Sequence, residues 1–312
     1  MAARQPAGLS ADAAPDGGPL HGRRAAVLGS PVAHSLSPAM HRAAHAALGL
    51  QGWTYEAVEV DEAGLPAFLE GCGAAWAGLS LTMPLKRAVL PLLAHRDDVA
   101  AATGAVNTVT WVRHATHDVG RAGREPVGAN TDVEGVVRAL GPVLTPAPAG
   151  GRRGVVLGGG ATAVSSVVAL GRLGCPQVVA HVREPARAGA LVAAGQRSGV
   201  EVELAPWAEA AAGLVAADVV VSTAPAGAAD DVARSLARAT ATGAALLDVV
   251  YDPWPTALAR AWAGRGPVVD GVEMLVHQAV AQVALMTGHR PAADVLRHAA
   301  ARERRHRATS GG

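Results

Sequence analysis

The second half of the chain alternates short apolar runs with segments of helical composition, and this alternation limits the folds open to it. The first apolar run, Gly154–Gly160 (GVVLGGG), ends in three glycines, and a helical segment is predicted from Thr162. Four similar runs follow, separated by predicted helices such as residues 185–198: QVVAHV, VEVEL, DVVVST and AALLDVV. Parallel strands joined by crossover helices produce this pattern. The pattern predicts a doubly wound nucleotide-binding domain, assigned to residues 136–270.

Strands and helices also alternate in the first half of the chain, which predicts a second α/β domain built on an open and mostly parallel sheet. Its predicted strands are residues 23–29, 53–60, 76–81 and 105–112. Its predicted helices are residues 37–48, 61–71 and 84–93, and a helix from Asn130 to about Leu140, with a hairpin or irregular loop over 113–126. A Pro/Gly-rich run, residues 141–154, is the best candidate for a linker.

Two final helices, from Gly271 to about Arg302, are expected to pack back on the first half of the chain. The predicted division is therefore a disordered leader (1–22), a domain of residues 23–135 and 271–303, the nucleotide-binding domain, and a tail (304–312).

Composition excludes several classes of function. The net charge of +1 gives no overall field for nucleic acid or an anionic membrane, and no run of about 18 apolar residues occurs. Cys72 and Cys175 lack the spacing of a metal or redox pair, which favours a reducing cytoplasm. The histidines show no paired metal-ligand spacing, so no metal is expected.

Lys86 is the only lysine in the chain, although the chain has 27 basic residues. An arginine is effectively never deprotonated, whereas a partly buried lysine can exchange a proton near neutrality. Lys86 follows a predicted strand in the segment LTMPLK, so its solitary occurrence favours an acid/base role over chance.

Further polar residues follow predicted strands in the first half. Ser35 and Ser37 lie in the loop SLSP, where Ser37 followed by proline predicts a helix N-cap. Thr82, Asn107 and Asp132 follow later elements, and ligands of open α/β sheets gather at the carboxyl ends of strands. Hydroxyls, an amide, a carboxylate and an ammonium suit a small polyhydroxylated acid, although Asp132 alone could equally be a helix cap.

The glycine-rich loop predicts a phosphate site. Its residues are Gly158, Gly159, Gly160, Ala161 and Thr162. Small residues let the backbone approach a pyrophosphate, and the helix N-terminus supplies amides and a favourable dipole. The alternative is a tight turn that binds nothing.

The end of the second strand of the nucleotide domain predicts which nucleotide binds. NAD sites place an acidic residue there, and NADP sites place an arginine. The strand ends His181-Val182-Arg183-Glu184, and Arg187 follows one turn later. Arg183 therefore favours NADP(H), with Glu184 interpreted as an acidic residue complementing the helix dipole.

Taken in order, the motifs resemble those of the shikimate dehydrogenase family over roughly residues 24–300. They are SLSP, LTMPLK, GAVNT, NTD followed by Gly135, GGGAT, STAP, YDP and GVEMLVHQ. The resemblance implies NADP-dependent, reversible reduction of 3-dehydroshikimate to shikimate, on the pathway to chorismate and the aromatic amino acids. It also implies a substrate domain, a cofactor domain and an active site in the cleft between them.

Carried over by position, the resemblance implies roles for individual residues. Lys86 would be the acid/base group and Asp132 its partner. The substrate hydroxyls and carboxylate would be held by Asp132 together with Ser35, Ser37, Thr82, Asn107, Tyr251 and Gln278. The cofactor would be held by the glycine-rich loop and Arg183, with Thr223, Val249 and the backbone of Gly271.

The chain departs from the family pattern at three places. Ser80 stands where the family usually has asparagine, so one substrate hydrogen bond is expected to be lost or mediated by water. Ala161 replaces a glycine, and His181-Val182-Arg183 replaces Asn-Arg-Thr, which displaces the cation by one position.

Three alternatives remain open. The first is an enzyme of the same fold acting on quinate or an amino analogue of shikimate, including one that uses NAD. The second is a non-catalytic NADP-binding regulator, and the third is an interaction protein that only carries the nucleotide-binding pattern. Oligomeric state, including a homodimer, is also left open.

Overall fold

The computed structural model describes residues 22–113, 123–236 and 243–310. The predicted leader, except for Gly22, and most of the predicted loop over 113–126 lie outside these residues. The chain divides into two compact units. The first takes its described residues from Met1–Arg96, Asn107–Ala129 and Val280–Gly312, and the second takes its own from Asp97–Val106 and Asn130–Ala279.

Twelve strands occur in the described residues. In chain order they are β1 Arg24–Gly29, β2 Thr54–Glu59, β3 Trp76–Leu81, β4 His95–Arg96, β5 Thr108–Arg113, β6 Arg124–Ala129, β7 Arg153–Leu157, β8 Gln177–Val182, β9 Glu201–Pro206, β10 Val219–Ser222, β11 Ala245–Asp248 and β12 Val268–Asp270.

Twelve α-helices occur in the same residues. They are α1 Ser37–Ala47, α2 Leu65–Glu70, α3 Leu85–Ala88, α4 Asp98–Thr103, α5 Asp132–Leu140, α6 Ala161–Arg172, α7 Gly189–Ser198, α8 Ala210–Val215, α9 Asp230–Leu236, α10 Ala257–Trp262, α11 Gly271–Thr287 and α12 Ala293–Ser310.

The first unit is built on a six-stranded sheet of order β2-β1-β3-β5-β6-β4. Strand β5 runs antiparallel to both of its neighbours, and the other adjacent strands are parallel. The prediction of a mostly parallel sheet is therefore confirmed. Because β5 is reversed, its first residues lie beside the carboxyl end of β3, where Ser80 pairs with Thr108.

The second unit is built on a fully parallel sheet of order β12-β11-β10-β7-β8-β9. This order is that of a dinucleotide-binding fold, with the reversal of strand order between β7 and β10. Alternate residues of β7 enter different apolar clusters: Val156 packs in one, and Val155 and Leu157 pack in the other. The sheet is thus buried on both faces, as a parallel sheet requires.

The two units do not divide the chain at the predicted domain boundaries. Residues 97–106, 130–135 and 271–279 group with the second unit, and α11 passes from the second unit into the first. The assignment of one domain to substrate and the other to cofactor stays a prediction.

Several predicted helices have different bounds in the structure: the helix predicted over 61–71 is Leu65–Glu70, and the one predicted over 185–198 is Gly189–Ser198. The helix predicted over 84–93 ends at Ala88 and is followed by a 3₁₀ turn, Leu90–Leu92. Pro91 explains this change, since proline has no amide to continue an α-helix. The last helix runs to Ser310, beyond the predicted end near Arg302, so most of the predicted tail is helical. Arg307 anchors this extension by donating to the carbonyl oxygens of His34 and Ser35, at 2.7 and 2.9 Å.

A search of the helices in the described ranges finds none that is both long and apolar enough to cross a bilayer.

Two histidines of α1 are buried in the core of the first unit. His41 stacks on Tyr55 with ring centroids 3.9 Å apart, and His45 lies 5.0 Å from the ring of Trp53. Burial lowers the pKa of His41 to about 3, helped by the neighbouring His45 and opposed by a hydrogen bond with Gln282. Burial also lowers the pKa of His45 to about 4. Both rings are therefore neutral at physiological pH.

These histidines should make the protein lose stability in mild acid. In the unfolded chain they take up protons below about pH 6.5, whereas in the folded chain they stay neutral down to about pH 4. The free energy of unfolding therefore falls as pH drops through this window. Each histidine contributes up to about 1.4 kcal/mol per pH unit to this loss. Urea unfolding at pH 7, 6 and 5 measures this slope, and His45→Phe should reduce it. The exposed His298, changed to Gln, is the control; equal slopes in wild type and His45→Phe would contradict the expectation.

Candidate functional site

The loops after β1 and β3 lie side by side. The amide of Thr82 donates to the Leu28 carbonyl at 2.9 Å, and the amide of Ser30 donates to the Met83 carbonyl at 3.1 Å. Gly29 makes this approach possible, since a Cβ there would lie 2.3 Å from Cγ2 of Thr82. The sequence SPVAHSLSP is thereby placed next to LTMPLK, at the carboxyl edge of the first sheet.

Ser35 and Ser37 are held in the first of these loops. Ser37 is the first residue of α1 rather than its cap, so the predicted N-cap is wrong. The hydroxyl oxygen of Ser35 instead accepts the Ser37 amide at 3.2 Å, a local turn that Ser side chains commonly make. Ser37 is buried and Ser35 is half-buried.

Thr82, Lys86 and Asn107 meet the same edge of the sheet. Thr82 follows β3 directly, and Lys86 lies in α3, which starts three residues later; both are half-buried. The carbonyl oxygen of Asn107 accepts the Leu81 amide at 2.8 Å, which fixes Asn107 beside the end of β3. Five predicted residues of the first unit, Ser35, Ser37, Thr82, Lys86 and Asn107, thus follow or adjoin the ends of neighbouring strands.

Asp132 begins α5 in the second unit and is 3% exposed. The oxygen of the Asn130 side chain accepts the amides of Asp132 and Val133, at 3.0 and 3.4 Å. Asn130 therefore supplies the capping oxygen, a role that sequence reasoning did not give it. The simple alternative for Asp132, that its carboxylate is there to cap α5, loses its support.

Gln278 lies on α11, and its Oε1 is 3.4 Å from the hydroxyl of Thr131. Gly135 lets the two helices approach closely, since a Cβ there would lie 2.7 Å from the Met274 carbonyl. Asp132 and Gln278 are therefore carried by adjoining helices. Lys86 belongs to the first unit and Asp132 to the second, so their action as a pair stays a prediction.

The glycine-rich loop has the form that a phosphate cradle needs. Gly158 has φ +114°, and a Cβ there would lie 2.5 Å from the hydroxyl of Thr223. Gly159 and Gly160 are exposed, and a Cβ on Gly160 would meet nothing within 4 Å. Helix α6 begins at Ala161 without a side-chain cap, and Thr162 is half-buried in its first turn. Uncapped amides and open backbone suit an anion at this helix N-terminus.

The other predicted cofactor residues follow neighbouring strands of the second sheet. Thr223 follows β10, and its hydroxyl donates to the Leu157 carbonyl at 2.8 Å. Val249 follows β11 and Gly271 follows β12. A Cβ on Gly271 would lie 2.3 Å from the Val249 carbonyl, so only glycine fits there. All three lie at the carboxyl edge where dinucleotides bind in sheets of this order.

Arg183 is exposed directly after β8. Glu184 forms an exposed ion pair with Arg187 at 3.2 Å. His181 points elsewhere: its Nδ1 lies 3.1 Å from the Pro206 carbonyl, and it packs against Gly213. Arg183 is therefore the cation nearest to the end of the strand.

Asp248 is a residue of this edge that sequence reasoning missed. Its carboxylate accepts the Thr256 hydroxyl at 2.7 Å and the Val250 amide at 3.2 Å. Burial raises the pKa of Asp248, while these hydrogen bonds lower it. The side chain bridges both ends of the loop that carries Val249 and Tyr251, and Tyr251 itself is half-buried. In the sequence, the only indication of a role for Asp248 is its position in the run LLDVVYDP.

Comparisons with known proteins identify relatives over most of the chain. Residues 27–109 match the shikimate dehydrogenase substrate binding domain, and residues 271–301 match the shikimate 5'-dehydrogenase C-terminal domain. A shikimate dehydrogenase (NADP(+)) of Exiguobacterium sibiricum is 34% identical, over 85% of this chain and 93% of the relative.

Solved structures agree with these matches. The shikimate dehydrogenase of Mycobacterium tuberculosis is 41% identical over 89% of this chain and 98% of that one, with a TM-score of 0.75. The shikimate 5-dehydrogenase of Thermus thermophilus, in complex with NADP(H) and shikimate, is 33% identical over 90% and 99%, with a TM-score of 0.72. The predicted resemblance is confirmed.

Proposed function

Since the chain belongs to the shikimate dehydrogenase family, we propose that it is an NADP-dependent shikimate dehydrogenase. It reduces 3-dehydroshikimate to shikimate reversibly, on the route to chorismate and the aromatic amino acids. The observation that carries this proposal is the grouping of Thr82, Lys86 and Asn107 at one edge of the first sheet, with Ser35 and Ser37 in the adjoining loop. Hydroxyl, amide and ammonium groups together suit the hydroxyls and carboxylate of this substrate.

The second unit supports the cofactor part of the proposal. Its glycine-rich loop offers bare backbone amides to a pyrophosphate, and Arg183 offers a guanidinium to the additional phosphate of NADP. The cofactor supplies the hydride that reduces the ketone. Val249 and Gly271 line the same edge through their backbones, since the missing side chain of Gly271 lets the two segments touch.

The residues of this chain would handle the proton. Negative charge grows on the ketone oxygen during reduction, and the Nζ ammonium of Lys86 can stabilise that oxygen and then protonate it. Asp132 would orient the ammonium and the substrate hydroxyl. The substrate ring would be fixed so that one face is presented to the hydride of the cofactor and the ketone oxygen to Lys86. The residues that would hold it are Ser35, Ser37, Thr82, Asn107, Tyr251 and Gln278.

One set of assays tests the proposal. NADPH oxidation is followed with 3-dehydroshikimate and with 3-dehydroquinate, and each assay is repeated with NADH. We expect the highest kcat/KM for 3-dehydroshikimate with NADPH. Lys86→Met, purified identically, is the control for contaminating host enzyme. Faster reduction of 3-dehydroquinate would contradict the proposed substrate. An absence of turnover with every combination of substrate and cofactor would favour a non-catalytic NADP-binding protein.

The proposal includes a cytoplasmic location, which the two cysteines support because they lie far apart in the sequence without the spacing of a metal or redox pair. The sedimentation coefficient of the purified protein distinguishes a monomer from a homodimer.

A further inference from the structure

A chain of buried hydrogen bonds crosses the first unit and ends at Asn107. The hydroxyl of Tyr55 lies 2.7 Å from Ser80 Oγ, which lies 2.9 Å from Gln282 Oε1. Nε2 of Gln282 lies 3.0 Å from the Asn107 carbonyl oxygen and 3.1 Å from Thr108 Oγ1. Thr108 Oγ1 in turn lies 2.9 Å from Asn107 Oδ1. None of the five side chains is more than 4% exposed, so the protein itself determines which atom donates in each bond.

One backbone carbonyl sets the direction of the whole chain. A carbonyl oxygen can only accept a hydrogen bond. The side-chain atom of Gln282 that faces the backbone carbonyl of Asn107 must therefore be its nitrogen. The Gln282 oxygen then faces Ser80, which must donate to it. Because the single hydroxyl proton of Ser80 is used in this way, the hydroxyl of Tyr55 must donate to Ser80.

The hydrogen-bond chain continues through Thr108 to the Asn107 side chain. Thr108 accepts a bond from Gln282, and its own proton points at the side-chain oxygen of Asn107. The oxygen of this carboxamide is therefore engaged on the protein side. The nitrogen, with its two protons, lies on the other branch of the planar group.

We propose that Tyr55, Ser80 and Gln282 are positioning residues that fix the rotation of the Asn107 carboxamide, so that it offers its nitrogen to the substrate. The inference rests on the proposed function, in which Asn107 binds the substrate. The group that it recognises is an oxygen acceptor, such as a ring hydroxyl oxygen. Ser80, which stands where the family pattern has asparagine, acts through the protein and not by its own contact with the ligand.

The surroundings keep this network in one protonation state. Burial raises the pKa of the Tyr55 hydroxyl well above its usual value, so it remains a donor at neutral pH. The neutral ring of His41 places Nε2 3.3 Å from Gln282 Oε1, where its proton supports the same amide orientation. The Ser37 side chain lies close enough to lower the pKa of the Tyr55 hydroxyl, so the network adjoins a second predicted substrate residue.

Side-chain NMR tests the network without any ligand. Asn107 and Asn130 are the only asparagines, so protein labelled with ¹⁵N in asparagine side chains gives two carboxamide signals, which Asn107→Ala assigns. Tyr55→Phe and Ser80→Ala should each shift the Asn107 signal and leave the Asn130 signal in place. An unchanged Asn107 signal in both variants overturns the proposal, whatever the activity of the enzyme.

Kinetics then tests the effect on substrate binding. Losing one neutral hydrogen bond corresponds to about a 3- to 10-fold change, so Tyr55→Phe should raise KM for 3-dehydroshikimate by about that factor. Its kcat should stay within about twofold. In the Asn107→Ala background, the same change at Tyr55 should alter KM less than about twofold, because the positioned group is gone.

A matched control separates positioning from loss of stability. Thr287 is buried in the same unit and donates to the Val283 carbonyl at 2.8 Å, outside the network. Thr287→Val should lower the melting temperature without changing KM. Equal effects of Tyr55→Phe in the wild-type and Asn107→Ala backgrounds would overturn the inference. A wild-type enzyme inactive on 3-dehydroshikimate would instead overturn the proposed function, and the NMR comparison would still decide whether the network reaches the Asn107 carboxamide.

Discussion

Replacing Lys86 by Arg is expected to lower turnover by about 10²–10⁴-fold, the usual contribution of a general acid–base group. Arginine keeps the positive charge but does not give up its proton, so this variant isolates proton transfer from charge. Lys86→Ala should lose at least as much. The measurement is kcat for reduction of 3-dehydroshikimate at saturating NADPH, with circular dichroism to show that the fold is retained.

The control for Lys86 is the next residue. Arg87 is an exposed cation on the same short helix, so Arg87→Met changes local charge without reaching the predicted site. It should keep near-normal turnover. If Lys86→Arg also kept near-normal turnover, the acid/base assignment would be wrong.

Asp132→Asn extends the same prediction to the proposed partner. The variant keeps the size of a side chain that is 3% exposed, and it removes the carboxylate. We expect a loss similar to that of Lys86→Ala. The double variant should lose little more than either single variant, because residues that act as a unit are not additive. If the loss of turnover in the double variant equalled the product of the two single losses, the two residues would act separately.

Replacing Arg183 by Ala is expected to weaken NADPH binding by about 10- to 100-fold. A guanidinium can bind a phosphate through two charge-assisted hydrogen bonds, worth about 1.5–3 kcal/mol, and 1.4 kcal/mol is a tenfold change in affinity. NADH lacks this phosphate, so its weaker binding should hardly change. Michaelis constants for both cofactors, in wild type and variant, measure the loss of discrimination.

Neighbouring charges provide the controls for Arg183. Arg187 already pairs with Glu184 at 3.2 Å, but an exposed pair of this kind is worth only about 0–1 kcal/mol. Arg187 can therefore turn to the phosphate at little cost, and Arg183→Ala combined with Arg187→Ala should lose more than Arg183→Ala alone. Glu184→Gln should leave the NADPH preference in place. A wild-type preference for NADH would refute the role of Arg183 while leaving the dehydrogenase assignment intact.

The sequence by itself determined the features that depend on neighbours along the chain. Apolar runs and glycine punctuation predict nine of the twelve strands, whereas β4, β6 and β12 are not predicted as strands. The turn at Gly158–Gly160 and the order of the motifs, SLSP, LTMPLK and GVEMLVHQ among them, predict the family and the candidate residues. These signals are local because strand and turn formation depends on residue types within a few positions.

The tertiary structure decided which groups satisfy one another. Ser37 carries a capping signature yet begins its helix, while Asn130 caps the helix of Asp132. Arg307 holds the Ser35 loop from 272 residues away, and Ser80 bonds to Gln282 across 202 residues. A buried polar group takes whichever partner the fold brings within about 3 Å, and spacing along the sequence carries no information about that distance.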